Sequence, residues 1–186
     1  MTPKNFTAFC LLFLVMTSLK AQHEIVPEKG YTPQIGIMVN MLDEIKDRVT
    51  EDVKDLSQEQ TDFLFDDKAN SIGAIIMHLI ATEAYYQSET LEGRPWTNEE
   101  RQQYEMAGGL GSESREGIKG KPIQYYLDLW DEVRAKSHAG LKEKDDAWFA
   151  SQIDEGVNIH WVWFHVLEHG ASHMGQISLV KARLPR

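Results

Sequence analysis

Cysteine is almost missing from this chain. Of 186 residues one is a cysteine, Cys10, and it falls in an N-terminal segment that reads as removable. Without it there is no disulfide framework, no thiol nucleophile and no thiolate metal ligand. Positive charge is also scarce: 19 Lys and Arg stand against 29 Asp and Glu, a net charge of −10. Such a surface repels phosphate backbones, so nucleic-acid binding is excluded as the main function. No apolar run is long enough to span a bilayer. Two catalytic signatures are absent as well. No Gly-x4-Gly-Lys-Ser/Thr loop is present to cradle phosphates. The His-Glu-x-x-His pattern of metallopeptidases fails because His169 is followed by Gly170, which removes that class's general base.

The first 21 residues carry Lys4, a short apolar run from Phe9 to Met16, and Ser18-Leu19-Lys20-Ala21 before Gln22. They read as a secretory signal peptide, with the mature protein exported to a periplasmic or extracellular space. Cys10 sits too early, and without the usual small residues before it, for lipid attachment. Removing this segment takes away Lys4 and Lys20 and leaves a net charge of −12. Residues 22–31, with Pro27 and Gly30, form a lead-in arm, and residues 32–186 form one domain.

Within that domain, hydrophobic spacing predicts four long helices. Ile35, Met38, Val39, Leu42, Ile45 and Val49 recur at intervals of three and four, so a first helix runs from Pro33 to Val53. Residues 56–69 are polar and turn-like. A second helix, capped by Asn70 or Ser71, is apolar nearly all round from Ile72 to Tyr86 and belongs at the centre. A third spans Pro122–Leu141, with Ile123, Tyr126, Leu127, Trp130, Val133 and Arg134 on its inner stripe. A fourth spans Val157–Arg183 and stops before Pro185. Residues 92–120 join the second and third helices. One short helix fits Thr97–Met106, and five glycines make the remainder flexible, a plain surface loop or a lid. There is no β-hairpin signal. The expected fold is all-α, an antiparallel four-helix bundle with one long crossover loop.

The chemistry concentrates in histidine. His165, His169 and His173 follow one another at intervals of four. At about 100° per residue they share one face with Trp161, Ser172 and Gln176. They also span about 12 Å along the axis, too far for one ion to take all three. The choice is His165 with His169, or His169 with His173. His78, alone among Ile75, Ile76, Met77 and Leu79, is the natural third ligand, since an unpaired imidazole there is costly. Three neutral nitrogens leave an open coordination position for water or substrate. His138 lies near a helix end and reads as a favourable C-terminal charge. His160 faces the other way, and His23 is in the arm.

Two stretches resemble the DinB-like superfamily of four-helix metal-binding proteins: Ser71–Leu79 with Glu83 beyond, and His165–Ile177, whose last histidine is followed by x-Gly-Gln-Ile. The resemblance covers about residues 32–184. It implies His78, His169 and His173 as the metal triad, with His165 a neighbour. Gly170 and Met174 depart from the Glu and Arg common at those places. The resemblance further implies a homodimer and a metal-dependent hydrolase or a thiol-type transferase, its small-molecule substrate unspecified. An exported copy fits the thiol role poorly, because small thiols are mainly cytoplasmic. Three imidazoles suit zinc or nickel, or iron, as the divalent ion. Glu83 and Glu168 are the nearest carboxylates by sequence for a general base. The alternative function is a non-catalytic metal- or ligand-binding bundle.

Overall fold

A computed structural model describes residues 24–185; the expected signal peptide lies outside the described residues. The chain forms α1 (Pro33–Val53), α2 (Gln58–Thr61), α3 (Ile72–Tyr86), α4 (Asn98–Tyr104), α5 (Ser112–Gly117), α6 (Ile123–Lys142), α7 (Asp146–Ala150), β1 (Gln152–Asp154), β2 (Val157–Asn158) and α8 (Ile159–Lys181). α3 runs on into a π-helical turn over Gln87–Glu92, which ends at Gly93 with φ +64°. The arm is not detached: the Glu28 N–H donates to the Gly36 carbonyl at 3.2 Å.

α1, α3, α6 and α8 make the bundle, in the ring order α1–α8–α3–α6. Side-chain pairs fix their directions. Lys46 of α1 pairs with Asp131 of α6, while Tyr31, just before α1, donates to the His138 carbonyl near α6's far end; these helices are antiparallel. On α3, His78 faces His173 and Tyr86 faces His165 of α8, so this pair is antiparallel too. Lys181 bonds Asp52 where α8 and α1 both end, so those two run together. No described helix is long and apolar enough to cross a membrane.

The boundaries follow local chemistry. Pro33 opens α1, where its missing N–H costs nothing. The Ser71 hydroxyl accepts from the Ala74 N–H at 3.2 Å and caps α3. α8 begins later than Val157 because Asn158 caps it, accepting from the Trp161 N–H at 2.8 Å. Residues 152–158 form a small antiparallel hairpin, contrary to the reading that no hairpin is present. Its strands are too short for alternation to show, and Gly156 at φ +74° makes the turn.

The connection over residues 92–120 also differs from expectation. It is a packed wall carrying α4, α5 and a 3₁₀ turn at Glu105–Ala107, with Tyr104 and Ala107 buried. Ser114 ties it together by donating to the Met106 carbonyl at 2.7 Å. Caps and burial hold this segment where glycine content alone suggests freedom.

The apolar core is in two parts. One joins Val49 and Val53 to α3 from Ile72 to Ala84, the first half of α6 and the end of α8. The other joins the start of α1 to Leu141, Phe149, Trp163 and Val166. On the α6 side a polar layer accompanies the change from one to the other. Glu83, 1% exposed, receives Arg134 Nε at 2.8 Å and Nη2 at 2.9 Å, the Ser137 hydroxyl at 2.6 Å and the Trp130 indole N–H at 3.1 Å. Burial alone would raise the Glu83 pKa, but Arg134 and the other donors hold it below the usual carboxylate range. Arg134 also reaches Asp43 of α1 at 2.9 Å, and so does His138 at 3.0 Å. The helix-end reading of His138 is therefore replaced by a specific carboxylate partner. α3 approaches α6 closely where Gly73 meets Tyr126, since an added Cβ would lie 2.9 Å from that ring. Removing one partner of a buried ion pair strands the other charge. Glu83→Ala should lower the unfolding free energy by about 3–5 kcal/mol in urea titration, and a loss under about 1 kcal/mol would refute the structural role.

Candidate metal centre

α3 and α8 cross in antiparallel sense, so residues from the middle of each meet. His78, His169 and His173 come together with one ligand atom from each within 4.8 Å of the others. His78 Nε2 lies 3.2 Å from His169 Nε2, and His173 Nε2 lies 3.0 Å from the same atom. Of the two pairs left open on α8, the structure brings together His169 with His173. The ring of His165 sits 5.4 Å from that of His169, outside the trio.

The proton positions follow from the outer partners. His78 Nδ1–H donates to the Ala107 carbonyl at 2.7 Å. A carbonyl only accepts, so the proton is on Nδ1 and the Nε2 lone pair points inward. His173 Nδ1–H donates to Gln176 Oε1 at 3.1 Å, with the same consequence. Two lone pairs thus converge on His169 Nε2, which can supply one proton at most. His169 Nδ1 is buried with no hydrogen-bond partner among the described residues, so no outer partner orients that ring. A tetrahedral ion with Zn–N bonds of about 2.0–2.1 Å needs ligand nitrogens about 3.3 Å apart. The two distances to His169 Nε2, 3.2 and 3.0 Å, are close to that spacing, all three ligand atoms lie within 4.8 Å of one another, and a divalent ion resolves the clash of lone pairs. The donor set fits one ion, held by three neutral nitrogens with a further position open.

Helix packing beside the site is close. Gly170 of α8 is buried against Ile45 of α1, where a Cβ would come within 3.2 Å of the isoleucine methyl. This accounts for a glycine where the helix interior otherwise disfavours it.

A cleft of about 350 Å³ opens beside His78 and His169, lined also by Tyr85, Tyr86, Trp96 and His165. His165 Nδ1 lies 2.8 Å from Glu168 Oε1, and its ring stacks on Trp161 with an interplanar angle of 4°. Glu168, one of the two carboxylates singled out as a base, therefore acts on His165. Glu83, the other, reaches only a closed crevice of about 10 Å³ beside His169, and its oxygens are committed to Arg134, Ser137 and Trp130. Sequence reading missed the Ala107 carbonyl, because a backbone acceptor leaves no residue-type signal.

Burial, then the neighbouring His173 and His78, push His169 down to about 4 from an ordinary 6.5. Burial lowers His78 and His173 as well. All three stay neutral near pH 7, as metal binding requires.

Over residues 37–185 the chain matches the family model described as mycothiol-S-transferase, a DinB-like family, in line with the resemblance read from the sequence. Among solved structures it resembles a conserved protein from Enterococcus faecalis, with 15% identity and a TM-score of 0.62, over 79% of this chain and 94% of that one. At that identity the likeness is one of fold. No curated protein sequence matches the chain.

The low imidazole pKa values set a pH window. Between pH 6.5 and about 4 the unfolded chain binds protons at His169 that the folded chain refuses. His169's contribution to the stability of the metal-free protein therefore falls as pH drops through that window and is level above it. Urea titrations after chelation, at about pH 7.5, 6 and 4.5, should show this decline, and His169→Ala should make it shallower, with His78 and His173 supplying what remains. An equally steep decline in the variant would assign the effect elsewhere.

Proposed function

The chain belongs to the mycothiol-S-transferase family, and on that premise we propose that it is a divalent-metal-dependent transferase that joins the sulfur of a small thiol to an electrophile. The observation that carries this is the convergence of three Nε2 atoms beside an open cleft. His78, His169 and His173 would hold the ion, zinc or nickel by donor type. When bound, such an ion supplies Lewis acidity that lowers the pKa of a thiol or a water at its open position.

The rest falls to side chains. Ala107 and Gln176 keep His78 and His173 in the tautomer that presents Nε2. Glu168 does the same for His165 by accepting its Nδ1–H, which leaves His165 Nε2 as a proton acceptor beside the cleft. His165 takes the thiol proton; the sulfur forms a bond to the electrophilic carbon; the leaving group departs with the electron pair of the broken bond. Where the acceptor is a conjugated carbonyl, no group leaves, and its carbon is reprotonated instead. Water in place of the thiol would give hydrolysis at the same site, and the family favours sulfur. A non-catalytic carrier would need no oriented Glu168–His165 pair.

We extend the proposal to export through residues 1–21. The mature protein would then start at Gln22, which N-terminal sequencing of protein from its own cells reads directly; an intact N-terminus would reject export and remove the conflict with a cytoplasmic thiol. The transfer reading is tested by thiol consumption with mycothiol and a panel of electrophiles. Activity should vanish on chelation and return with zinc or nickel. His165→Gln should retain the metal and lose about 100-fold in kcat. Metal-independent consumption would contradict the reading, and an unchanged kcat in the variant would remove His165 from it.

A further inference from the structure

The walls of the cleft carry information that the transfer reading does not use. Five rings follow one another around it. Trp96 meets Tyr85 edge-on at 5.5 Å between centroids, and Tyr85 meets Tyr86 at 5.3 Å. Tyr86 meets His165 at 5.8 Å, and His165 stacks on Trp161 at 5.4 Å. All but Trp161 line the cleft. Tyr85 remains 42% exposed and Trp161 51%, so a large aromatic surface faces water where a ligand would cover it.

Among the described residues no Lys, Arg, Asp or Glu lines the cleft, whose other residues are Ala81, Thr82, Gly108 and the ligands His78 and His169. An anionic group entering there would shed water and find no cationic side chain to replace it. In the transfer reading the sulfur occupies the position facing the ion, so the ion is not free to serve a second anion. Glu168 beside His165 and the chain's net charge of −10 add repulsion. A flat, uncharged molecule meets the opposite conditions: ring faces and edges to stack on, and nothing charged left unpaired.

We propose, resting on the metal-dependent transfer above, that the cleft selects uncharged planar substrates, aromatic or conjugated, and rejects anionic ones. The cleft volume lies within the range of small-molecule sites. His165, its ring 5.4 Å from that of His169, and Tyr86 packed against it would place the reactive carbon, and Tyr85 and Trp96 would hold the far end of the plane.

The test is equilibrium dialysis of the full chain as purified, with metal content measured on the same sample. The probes are 2-acetylnaphthalene, neutral and conjugated, and naphthalene-2-sulfonate, the same ring system with a negative charge. The ketone should bind saturably at one site, with the sulfonate at least about tenfold weaker. Tyr85→Leu should weaken ketone binding about 5- to 10-fold with metal content unchanged. Tyr125→Leu, which alters an equally exposed tyrosine on α6 (41%), should leave it unchanged. Equal or tighter sulfonate binding overturns the selectivity. Loss in Tyr125→Leu but not Tyr85→Leu moves the ligand to another cavity and overturns the site. The two readings fail separately. Ketone binding without thiol consumption removes the transfer and leaves the cleft's preference standing, whereas thiol consumption with a preference for the sulfonate does the reverse.

Discussion

Glu83 is the point from which the bundle takes its alignment. A carboxylate sealed in the interior must find charge and hydrogen-bond partners there, and only one placement of α3 against α6 brings Arg134, Ser137 and Trp130 to it together. Arg134 continues to Asp43 and ties α1 to the same level. A shift of α3 along its axis would leave a buried charge unmet, a far larger penalty than most repacking of apolar side chains. His78 lies five residues earlier on α3, so the network that fixes Glu83 also fixes the height at which His78 meets α8.

The trio then depends on neutrality. Burial keeps all three imidazoles unprotonated near pH 7, and the Ala107 carbonyl and Gln176 amide direct two protons outward. What remains is a set of inward-facing lone pairs that no cationic side chain among the described residues meets. Arg134 is the nearest guanidinium in the polar layer, and it is spent on Glu83 and Asp43. The fold thus separates two tasks. One side of α3 carries a charged, fully paired network that holds the helices; another carries uncharged nitrogens available to an ion. The segment over residues 92–120 completes the second by supplying Ala107, Gly108 and Trp96.

Much of this was legible in the sequence, for identifiable reasons. α1 could be read to its end residues because apolar spacing and Pro33 agree. His78, alone in an apolar helix, and the α8 histidines repeating at four pointed to a metal site, but spacing left two α8 pairs open, and only the DinB-like resemblance singled out His169 with His173. Contacts between distant residues were not legible. Glu83 offers itself as a base near His78 until Arg134, 51 residues away, is brought beside it. His138 resembles a helix-end charge until Asp43 arrives from α1. The packed 92–120 segment was hidden because its caps and buried Ala107 are local details that glycine content outweighs, and the hairpin at 152–158 because five strand residues carry no period.

The account rests on one ion held by three imidazoles with a place left for sulfur. X-ray absorption at the metal edge, on protein purified without a histidine tag, tests this most directly. The account predicts three imidazole nitrogens at about 2.0–2.1 Å, one further oxygen in the free protein, and replacement of that oxygen by sulfur at about 2.3 Å when the thiol is added. A first shell with fewer than three imidazoles, or one that thiol leaves unchanged, would contradict it.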